Sequence, residues 1–371
     1  MRWPREGTPV FASHFATWDA AHYLYLSEVG YRHNASSWAF YPLWPLLVRW
    51  VSPLFGRSHL VGGLVLSNLF SLAAWLIFYR MVTRRWGESA ADWGLLFLIT
   101  FPGSLFFQFN YSESLFLLLV MALWWGLEER HYGWAWVAGC LLPLTRGVGV
   151  FALLPIGWYV IRPMLPRRFG HNYREGDAVL ASGDFSGPEL KTREGANQRL
   201  DVATTLPSTP PWLLLAPLLG WGLYLVLIGY WTGDPFEGFR AQKYWGVHSI
   251  SNLWNMPKFV GGLFTPTEWH AFKGSVLDRC VFLLLLGCLP IIWRLDKALL
   301  AWTYVLGILP AMSGTFTSFT RFASCSFPMF IALGVFLSWR EWCWLRYGLV
   351  GVFIVLHVVL VWRFVNFRWA G

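Results

Sequence analysis

Long apolar stretches recur along this chain from residue 60 to residue 361. A helix that spans a bilayer needs roughly 20 mostly apolar residues. Only 13% of the residues are charged, about half the share usual in soluble domains. The pattern predicts an all-α, polytopic membrane protein and excludes a soluble enzyme, a disordered protein and a disulfide scaffold. The candidate spans are Leu60–Tyr79, Trp93–Phe107, Leu115–Leu127, Trp134–Ile161, Trp212–Trp231, Val276–Ile292, Leu299–Met312, Phe322–Leu337 and Leu349–Val361.

The stretch Trp134–Ile161 is too long for a single pass. Pro143, Arg146 and Gly147 interrupt it, which predicts two short helices that meet at the break. Counting this stretch as two passes gives about ten transmembrane helices. Basic residues then collect in the loops on one side of the membrane, as is typical of cytoplasmic loops. This explains the net charge of +9 without a nucleic-acid partner. These basic residues include Arg80, Arg84, Arg85, Arg162, Arg167, Arg168, Arg294, Lys297, Arg340 and Arg346.

Composition divides the chain into four segments. A polar stretch without apolar periodicity, rich in Gly, Arg, Glu, Ser and Thr, separates two apolar halves and predicts a flexible cytoplasmic insert. The segments are an outer-face loop with interfacial helices at 1–58, a first transmembrane half at 59–161, the insert at 162–211, and a second transmembrane half at 212–371 with an outer loop at 232–275.

The outer-face loop contains the first candidate site. Residues 17–28 predict a short helix that lies in the membrane interface with its aromatic side chains in lipid. Asp19 and His22 are three residues apart and share a face of that helix. Asp19 is a candidate general base that takes a proton from an acceptor hydroxyl. Taken alone, its position is explained more simply as an acidic residue that stabilises a helix N-terminus.

Two ionisable residues lie at the ends of apolar stretches. Glu113 stands before a strongly apolar helix, where a carboxylate indicates a function or a partner; the alternative is a helix start capped by Ser112. Arg146 lies at the break and has no carboxylate nearby in sequence. It requires an anion, which is either a phosphate or a carboxylate of Glu113 or Asp19.

The second half adds further candidates. In the outer loop, aromatic side chains alternate with basic and amide groups at Gln242, Lys243, Tyr244 and Trp245. Such a set can grip a sugar and its phosphate, and it also fits an ordinary interfacial belt. Arg321 ends a Ser/Thr-rich stretch and is either a second phosphate contact or part of a helix end. The sequence contains no metal-ligand cluster or nucleotide-binding motif, so we expect neither a metal nor a cofactor.

Taken in order, these segments resemble the PIG-V type mannosyltransferases, a family of GT-C membrane glycosyltransferases with bacterial relatives. The run Trp18-Asp19-Ala20-Ala21-His22-Tyr23, then Gly30-Tyr31, then Ala39-Phe40-Tyr41-Pro42-Leu43-Trp44-Pro45-Leu46 looks like the family's first outer loop. Its later motifs are matched by Tyr111-Ser112-Glu113-Ser114-Leu115-Phe116, by Thr145-Arg146-Gly147 and by residues 242–247.

The resemblance implies a GT-C helical bundle and a specific reaction. A sugar, mannose in this family, moves with inversion from a polyprenyl-phosphate donor to an acceptor hydroxyl of a glycolipid or glycan. The acidic residue of the Trp-Asp motif, here Asp19, becomes the expected base. We expect the active site on the outer face of a bacterial inner membrane. The expected substrate-binding residues are His22, Tyr111, Glu113, Arg146, Gln242, Lys243, Tyr244, Trp245 and Arg321.

Three features depart from the family pattern. The family has a transmembrane helix before the Trp-Asp loop, so we expect one upstream of Met1. Gly147-Val148-Gly149 stands where the family has Ser-Asn-Gly after Thr-Arg, and the insert is not typical. Two alternative functions remain open. A lipid-linked glycan flippase or transporter predicts polar residues through the depth of the membrane, and a non-catalytic subunit of a glycan assembly complex predicts that Asp19 is dispensable.

Overall fold

The computed structural model describes residues 10–31, 35–165, 209–245, 256–272, 274–312 and 316–371. Most of the expected 162–211 insert therefore lies outside the described residues. The described part consists of helices and loops, without a β-strand. Its α-helices are α1 Asp19–Glu28, α2 Leu43–Val51, α3 His59–Trp86, α4 Glu88–Thr100, α5 Glu113–Glu128, α6 Tyr132–Thr145, α7 Leu153–Ile161, α8 Leu215–Thr232, α9 Glu237–Ala241, α10 Met256–Leu263, α11 Val276–Leu295, α12 Lys297–Thr303, α13 Leu309–Met312, α14 Phe319–Ala323, α15 Phe327–Leu337 and α16 Cys343–Val365.

Within the described residues, five helical segments are long and apolar enough to cross a membrane. The predicted all-α membrane fold is confirmed, whereas the predicted total of about ten passes stays a prediction. Several other apolar helices are shorter than a full span. The five segments are His59–Trp86, Gly147–Met164, Pro211–Thr232, Val276–Leu295 and Arg340–Val365.

The expected break in the long apolar stretch is present. Helix α6 ends at Thr145, Arg146 adopts an extended backbone (φ −155°, ψ 146°), and a 3-10 turn at Gly147–Ala152 leads into α7. Pro143 lacks the N–H that would continue the helical hydrogen bonds. The chain therefore reverses at Arg146 and leaves its side chain at the end of two helices.

Helix α15 is the centre of the bundle. Nearly all its side chains are buried, among them Phe327, Phe330 and Ile331. Its backbone lies very close to α4. A Cβ added at Gly334 would overlap the carbonyl oxygen of Ala90 in α4. Small residues at such contacts let helix backbones approach each other, as is common between helices in membranes.

Helix α5 connects two charged ends of the bundle. At its C-terminal end, Glu128 accepts a hydrogen bond from Arg85 at 2.7 Å, and Arg85 also pairs with Asp296 at 2.6 Å. At its N-terminal end lies Glu113. Sixteen residues of α-helix span about 24 Å, close to the roughly 30 Å hydrocarbon thickness of a bilayer. Glu113 and the basic residues around Arg85 thus lie at opposite ends of the membrane-embedded bundle.

Helix α1 forms where the sequence predicts it, but one of its aromatic side chains, Tyr23, is buried in the protein and does not lie in lipid as predicted. Tyr23, Leu24 and Leu26 are buried inside the protein. The Tyr23 hydroxyl forms a 2.8 Å hydrogen bond with the Ser112 hydroxyl. That partner lies 89 residues away in sequence, so the Tyr23 side chain contacts the residue that precedes α5.

Candidate active site

Asp19 is the first residue of α1 and is fixed by an unusual backbone. The preceding residue, Trp18, has a φ of 54°, in the left-handed region that a side chain rarely adopts. The Trp18 indole N–H donates to the Arg368 carbonyl at 3.1 Å, which holds this conformation. Strained backbone of this kind concentrates at functional sites. The Asp19 side chain is 16% exposed and is therefore within reach of a small molecule.

Glu113 is the buried centre of the charged group. Its side chain is fully buried, and its Oε1 accepts from Arg146 Nη1 at 2.7 Å and from Arg321 Nε. Ser112 makes no side-chain capping bond, so the capping interpretation of this helix start does not hold. The predicted alternative, a pairing of Arg146 with Glu113, is confirmed. A carboxylate this deep is stable because two guanidinium groups compensate its charge.

Arg321 joins the two carboxylates. Its Nε donates to Glu113 and its Nη1 donates to Asp19. The guanidinium also lies over the Tyr111 ring, 4.7 Å from the ring centroid, in a cation–π contact. Asp19, Arg321, Glu113 and Arg146 form a continuous chain, called the charge cluster below. Two positive and two negative groups give this cluster no net charge.

A buried aspartate that the sequence analysis overlooked supports Arg321. Asp278, in the first turn of α11, accepts from the Thr320 backbone N–H and from its hydroxyl, both at 2.6 Å. Thr320 precedes Arg321 in α14. A Cβ at Gly103 would overlap the Thr320 carbonyl oxygen, so the same segment is confined on its other side. The signal that selected Glu113, an acid at the start of an apolar helix, applies equally to Asp278.

A cavity of about 410 Å³ opens beside the charge cluster. This lies in the range of small-molecule sites, about 300–1,000 Å³. Part of its wall is polar and part is aliphatic. The polar groups include Asp19, Tyr23, Thr145, Arg146, Gln242 and Arg321. The aliphatic groups include Val148, Val150, Leu306, Leu309 and Pro310.

The predicted site residues divide into two groups. Asp19, Arg146, Gln242, Trp245 and Arg321 line the cavity. Gln242 and Trp245 are fixed by hydrogen bonds to backbone carbonyls, each 3.0 Å long. The other predicted residues do not line it.

Of these, Glu113 and Tyr111 lie behind Arg321 and support it. His22 is buried against Phe40 at 4.8 Å between ring centroids and forms a 2.7 Å hydrogen bond with the Ser37 hydroxyl. It therefore shapes the cavity wall from behind.

Lys243 and Tyr244 are exposed and do not line the cavity. Their placement fits the interfacial alternative considered for this loop. Residues 246–250, which continue the loop motif, lie outside the described residues.

Burial determines the protonation state of Tyr23, a phenol that lines the cavity. Desolvation, with the nearby Glu113 carboxylate, raises the pKa of Tyr23 well above its usual value. Tyr23 is therefore a neutral hydrogen-bonding group at physiological pH. In the described part of the chain, no three side chains of His, Cys, Asp and Glu come together as metal ligands.

Fold and site define an all-helical integral membrane protein with a charged cavity at one end of its bundle. Residues 9–172 match the family model "Mannosyltransferase (PIG-V)". The matched part contains Asp19, Glu113 and Arg146. The resemblance stated from the sequence is thereby confirmed for this part of the chain. Arg321 lies outside the matched residues.

Curated relatives of this chain are mannosyltransferases as well. The mouse GPI alpha-1,6-mannosyltransferase 2 is 34% identical over 152 residues, and the human protein is 28% identical over the same length. Each match covers 38% of this chain, and the chain spans about 30% of the length of these relatives.

Two solved structures of the Archaeoglobus fulgidus oligosaccharyltransferase are also similar. One, tethered to an acceptor peptide, has 14% identity and a TM-score of 0.43. The other, with an inhibitory peptide and a dolichol-phosphate, has 13% identity and a TM-score of 0.42. Each alignment covers 90% of this chain, and 47% and 48% of the two neighbours.

Proposed function

We propose that the chain is a membrane glycosyltransferase that transfers a sugar, mannose, from a polyprenyl-phosphate sugar to an acceptor hydroxyl with inversion. The observation that supports this most directly is the charge cluster, in which the cavity-facing Asp19 shares Arg321 with a buried carboxylate. The PIG-V family match over residues 9–172 supports the reaction class and the choice of mannose.

Asp19 is the base in this proposal. Its carboxylate takes the proton of the acceptor hydroxyl while that oxygen forms a bond to the anomeric carbon of the donor sugar. The bond from the anomeric carbon to the phosphate oxygen breaks, and the electron pair leaves with the polyprenyl phosphate. Attack opposite the leaving group inverts the anomeric centre.

The transfer conserves charge and moves negative charge toward the arginines of the charge cluster. Before transfer, Asp19 carries one negative charge and the donor phosphodiester carries another. After transfer, Asp19 is neutral and the leaving phosphate monoester carries two. One negative charge has moved from Asp19 to the phosphate. Arg321 and Arg146 both line the cavity, and guanidinium groups bind phosphate oxygens with well-directed hydrogen bonds.

The aliphatic wall suits the lipid part of the donor. Val148 and Val150 lie shortly after Arg146 in the chain and line the cavity together with Leu306 and Leu309. A phosphate held by Arg146 would therefore have its prenyl chain beside an apolar surface, whose burial is favourable. The acceptor is a glycolipid or glycan hydroxyl in this proposal.

In this proposal the reaction takes place on the outer face of the membrane. Cytoplasmic loops collect Lys and Arg, and Arg84 and Arg85 lie at the end of α3. Arg85 pairs with Glu128 at the C-terminal end of α5. The end of α3 therefore lies about 24 Å from Glu113, which is at the N-terminal end of α5. This separation supports an outer-face site in a cell membrane, which we expect to be bacterial.

Sugar transfer in reconstituted membranes tests the proposal. Radiolabelled polyprenyl-phosphate mannose is offered with native lipid extract as acceptor, and polyprenyl-phosphate glucose and arabinose serve as competitors. The wild type should transfer mannose, and Asp19→Asn should lose transfer. Asp92→Asn is the matched control, because Asp92 is an exposed acid that does not line the cavity.

The outcomes separate the alternatives. Equal transfer by wild type and Asp19→Asn removes Asp19 as the base. Absence of transfer with every donor, in a folded protein, overturns the enzyme and favours a flippase or a non-catalytic subunit.

A further inference from the structure

The cavity has an aromatic wall near Asp19 to which the sequence analysis gave no role. Trp369 and Phe272 both line the cavity that contains Asp19 and Arg321. Their rings are 4.9 Å apart between centroids and inclined at 84°. The Trp369 ring also meets the Trp18 ring at 5.3 Å and 90°. These edge-to-face contacts give the wall a defined geometry.

The backbone around Trp369 is held from two sides. The Trp369 carbonyl accepts from Arg363 Nε at 2.7 Å, and the carbonyl of Arg368 accepts from the Trp18 indole at 3.1 Å. Trp18 precedes Asp19 in the chain. One set of contacts therefore fixes both Asp19 and the aromatic wall, so their relative position is set in advance of any ligand.

Trp369 offers its ring to a sugar. Its side chain is only partly buried and lines the cavity. An aromatic face can cover the C–H groups of a sugar ring, and phenylalanine at this position would keep such a face.

From this placement we propose that Trp369, supported by Phe272, forms the binding face for the sugar ring of the acceptor. The inference rests on the proposed function. A base must lie within hydrogen-bond reach of the proton that it takes, so the acceptor hydroxyl lies at Asp19. Trp369 is tied to Asp19 through Trp18, whereas the aliphatic wall continues from Arg146. The acceptor and the donor lipid thus take opposite sides of the charge cluster.

Sugar binding without turnover tests this subsite. The probe is octyl α-D-mannopyranoside, and saturation-transfer difference NMR measures its contact with the full chain in lipid nanodiscs, after subtraction of empty nanodiscs. The wild type should saturate the ring C–H protons. Trp369→Ala should reduce that signal at least several-fold, and Trp369→Phe should retain most of it. Trp362→Ala is the matched control, because Trp362 is an exposed tryptophan nearby that does not line the cavity.

Enzyme kinetics give a second readout. Trp369→Ala should raise the acceptor KM about tenfold, the loss expected for about 1.4 kcal/mol of binding, and leave the donor KM unchanged. Equal NMR signals from Trp369→Ala and wild type, or no wild-type signal, overturn the subsite. If the wild type still transfers mannose in that case, the sugar subsite is wrong but the proposed enzyme activity is supported. The expected NMR pattern without any transfer would instead support the sugar site and overturn the reaction.

Discussion

Arg321 donates from Nη1 to the Asp19 carboxylate, although the two residues are 302 positions apart in sequence. The same guanidinium is anchored through Nε on the buried Glu113. The anchored side of Arg321 therefore faces the protein interior, and the side that meets Asp19 faces the cavity. Any anion that enters the cavity competes with Asp19 for this guanidinium.

That competition predicts an effect of Asp19→Asn on binding. The change removes one negative charge and leaves Arg321 and Arg146 opposed by Glu113 alone. Undecaprenyl phosphate should therefore bind more tightly to Asp19→Asn than to the wild type, by about 1–2 kcal/mol or roughly tenfold in Kd. Equilibrium binding of the radiolabelled lipid in nanodiscs measures this.

A double-mutant cycle identifies the group responsible. In an Arg321→Gln background, Asp19→Asn should give little further gain in affinity, because the guanidinium that it releases is gone. The control variant Asp92→Asn should bind like the wild type. Unchanged or weaker binding by Asp19→Asn would contradict the shared use of Arg321.

Asp278 is predicted to position Arg321. Asp278→Ala removes the acceptor of both Thr320 hydrogen bonds and lets the Thr320–Arg321 segment shift. Displacement of a positioned group by about 1 Å can cost roughly 100-fold in rate, so the kcat of transfer should fall about 10- to 100-fold. Asp278→Asn retains one acceptor oxygen and should keep most of the activity.

Thr320→Val, which removes only the hydroxyl, should lie between these two variants. Binding of undecaprenyl phosphate separates positioning from simple unfolding. Asp278→Ala should weaken that binding, whereas its thermal midpoint reports the fold. Equal phosphate affinity in Asp278→Ala and wild type would contradict the positioning role.

Stability should fall as the pH drops below neutrality because of His270. Burial lowers the pKa of this imidazole to about 4, and the positive charge of Arg363 acts in the same direction. The unfolded chain takes up the proton near pH 6.5 and the folded chain only near pH 4. The free energy of unfolding therefore decreases as pH falls from 6.5 to 4, by an amount on the order of 3 kcal/mol.

The thermal midpoint measured at pH 7, 6 and 5 checks this prediction. His270→Gln should flatten the acid side of the profile, while His131→Gln, at an exposed loop position, should leave the wild-type slope. The side chain of His270 interacts with the backbone of Ala370, so the acid effect should extend to the neighbouring Trp369 wall. An unchanged slope in His270→Gln would assign the acid sensitivity to other groups.

The sequence predicted the local features of the site and missed its long-range pairing. The break at Arg146 follows from proline and glycine chemistry, and the helix starts at Asp19 and Glu113 follow from acids beside apolar runs. Arg321 reaches across 208 residues to Glu113, and no local pattern encodes that contact. The charges in a membrane bundle must find partners, but the sequence alone left phosphate and carboxylate as alternatives for Arg146.

The burial of Tyr23 was missed for the same reason. An aromatic side chain is compatible with lipid and with a protein core, and only the packing partner distinguishes these environments. The Ser112 hydroxyl supplies that partner for Tyr23. Asp278 was missed although its pattern resembles that of Glu113, because its helix was predicted only as a membrane span.

Glu113 should be the member of the charge cluster that stability depends on most. Glu113→Gln leaves two buried guanidinium groups without their shared carboxylate, and loss of one partner of a buried ion pair costs about 3–5 kcal/mol. Glu129→Gln is the matched control, since Glu129 pairs with Arg84 at 2.7 Å but both side chains are partly exposed. Such a surface pair contributes about 0–1 kcal/mol.

Thermal unfolding in detergent compares the two variants. The midpoint of Glu113→Gln should fall by several degrees and that of Glu129→Gln should stay near the wild type. Double replacement of Arg146 and Glu113 by Met and Leu tests the origin of the loss, because it removes one positive charge together with the negative one. It should recover part of the stability lost in Glu113→Gln, and no recovery would indicate that packing around Glu113, and not charge compensation, holds this end of α5.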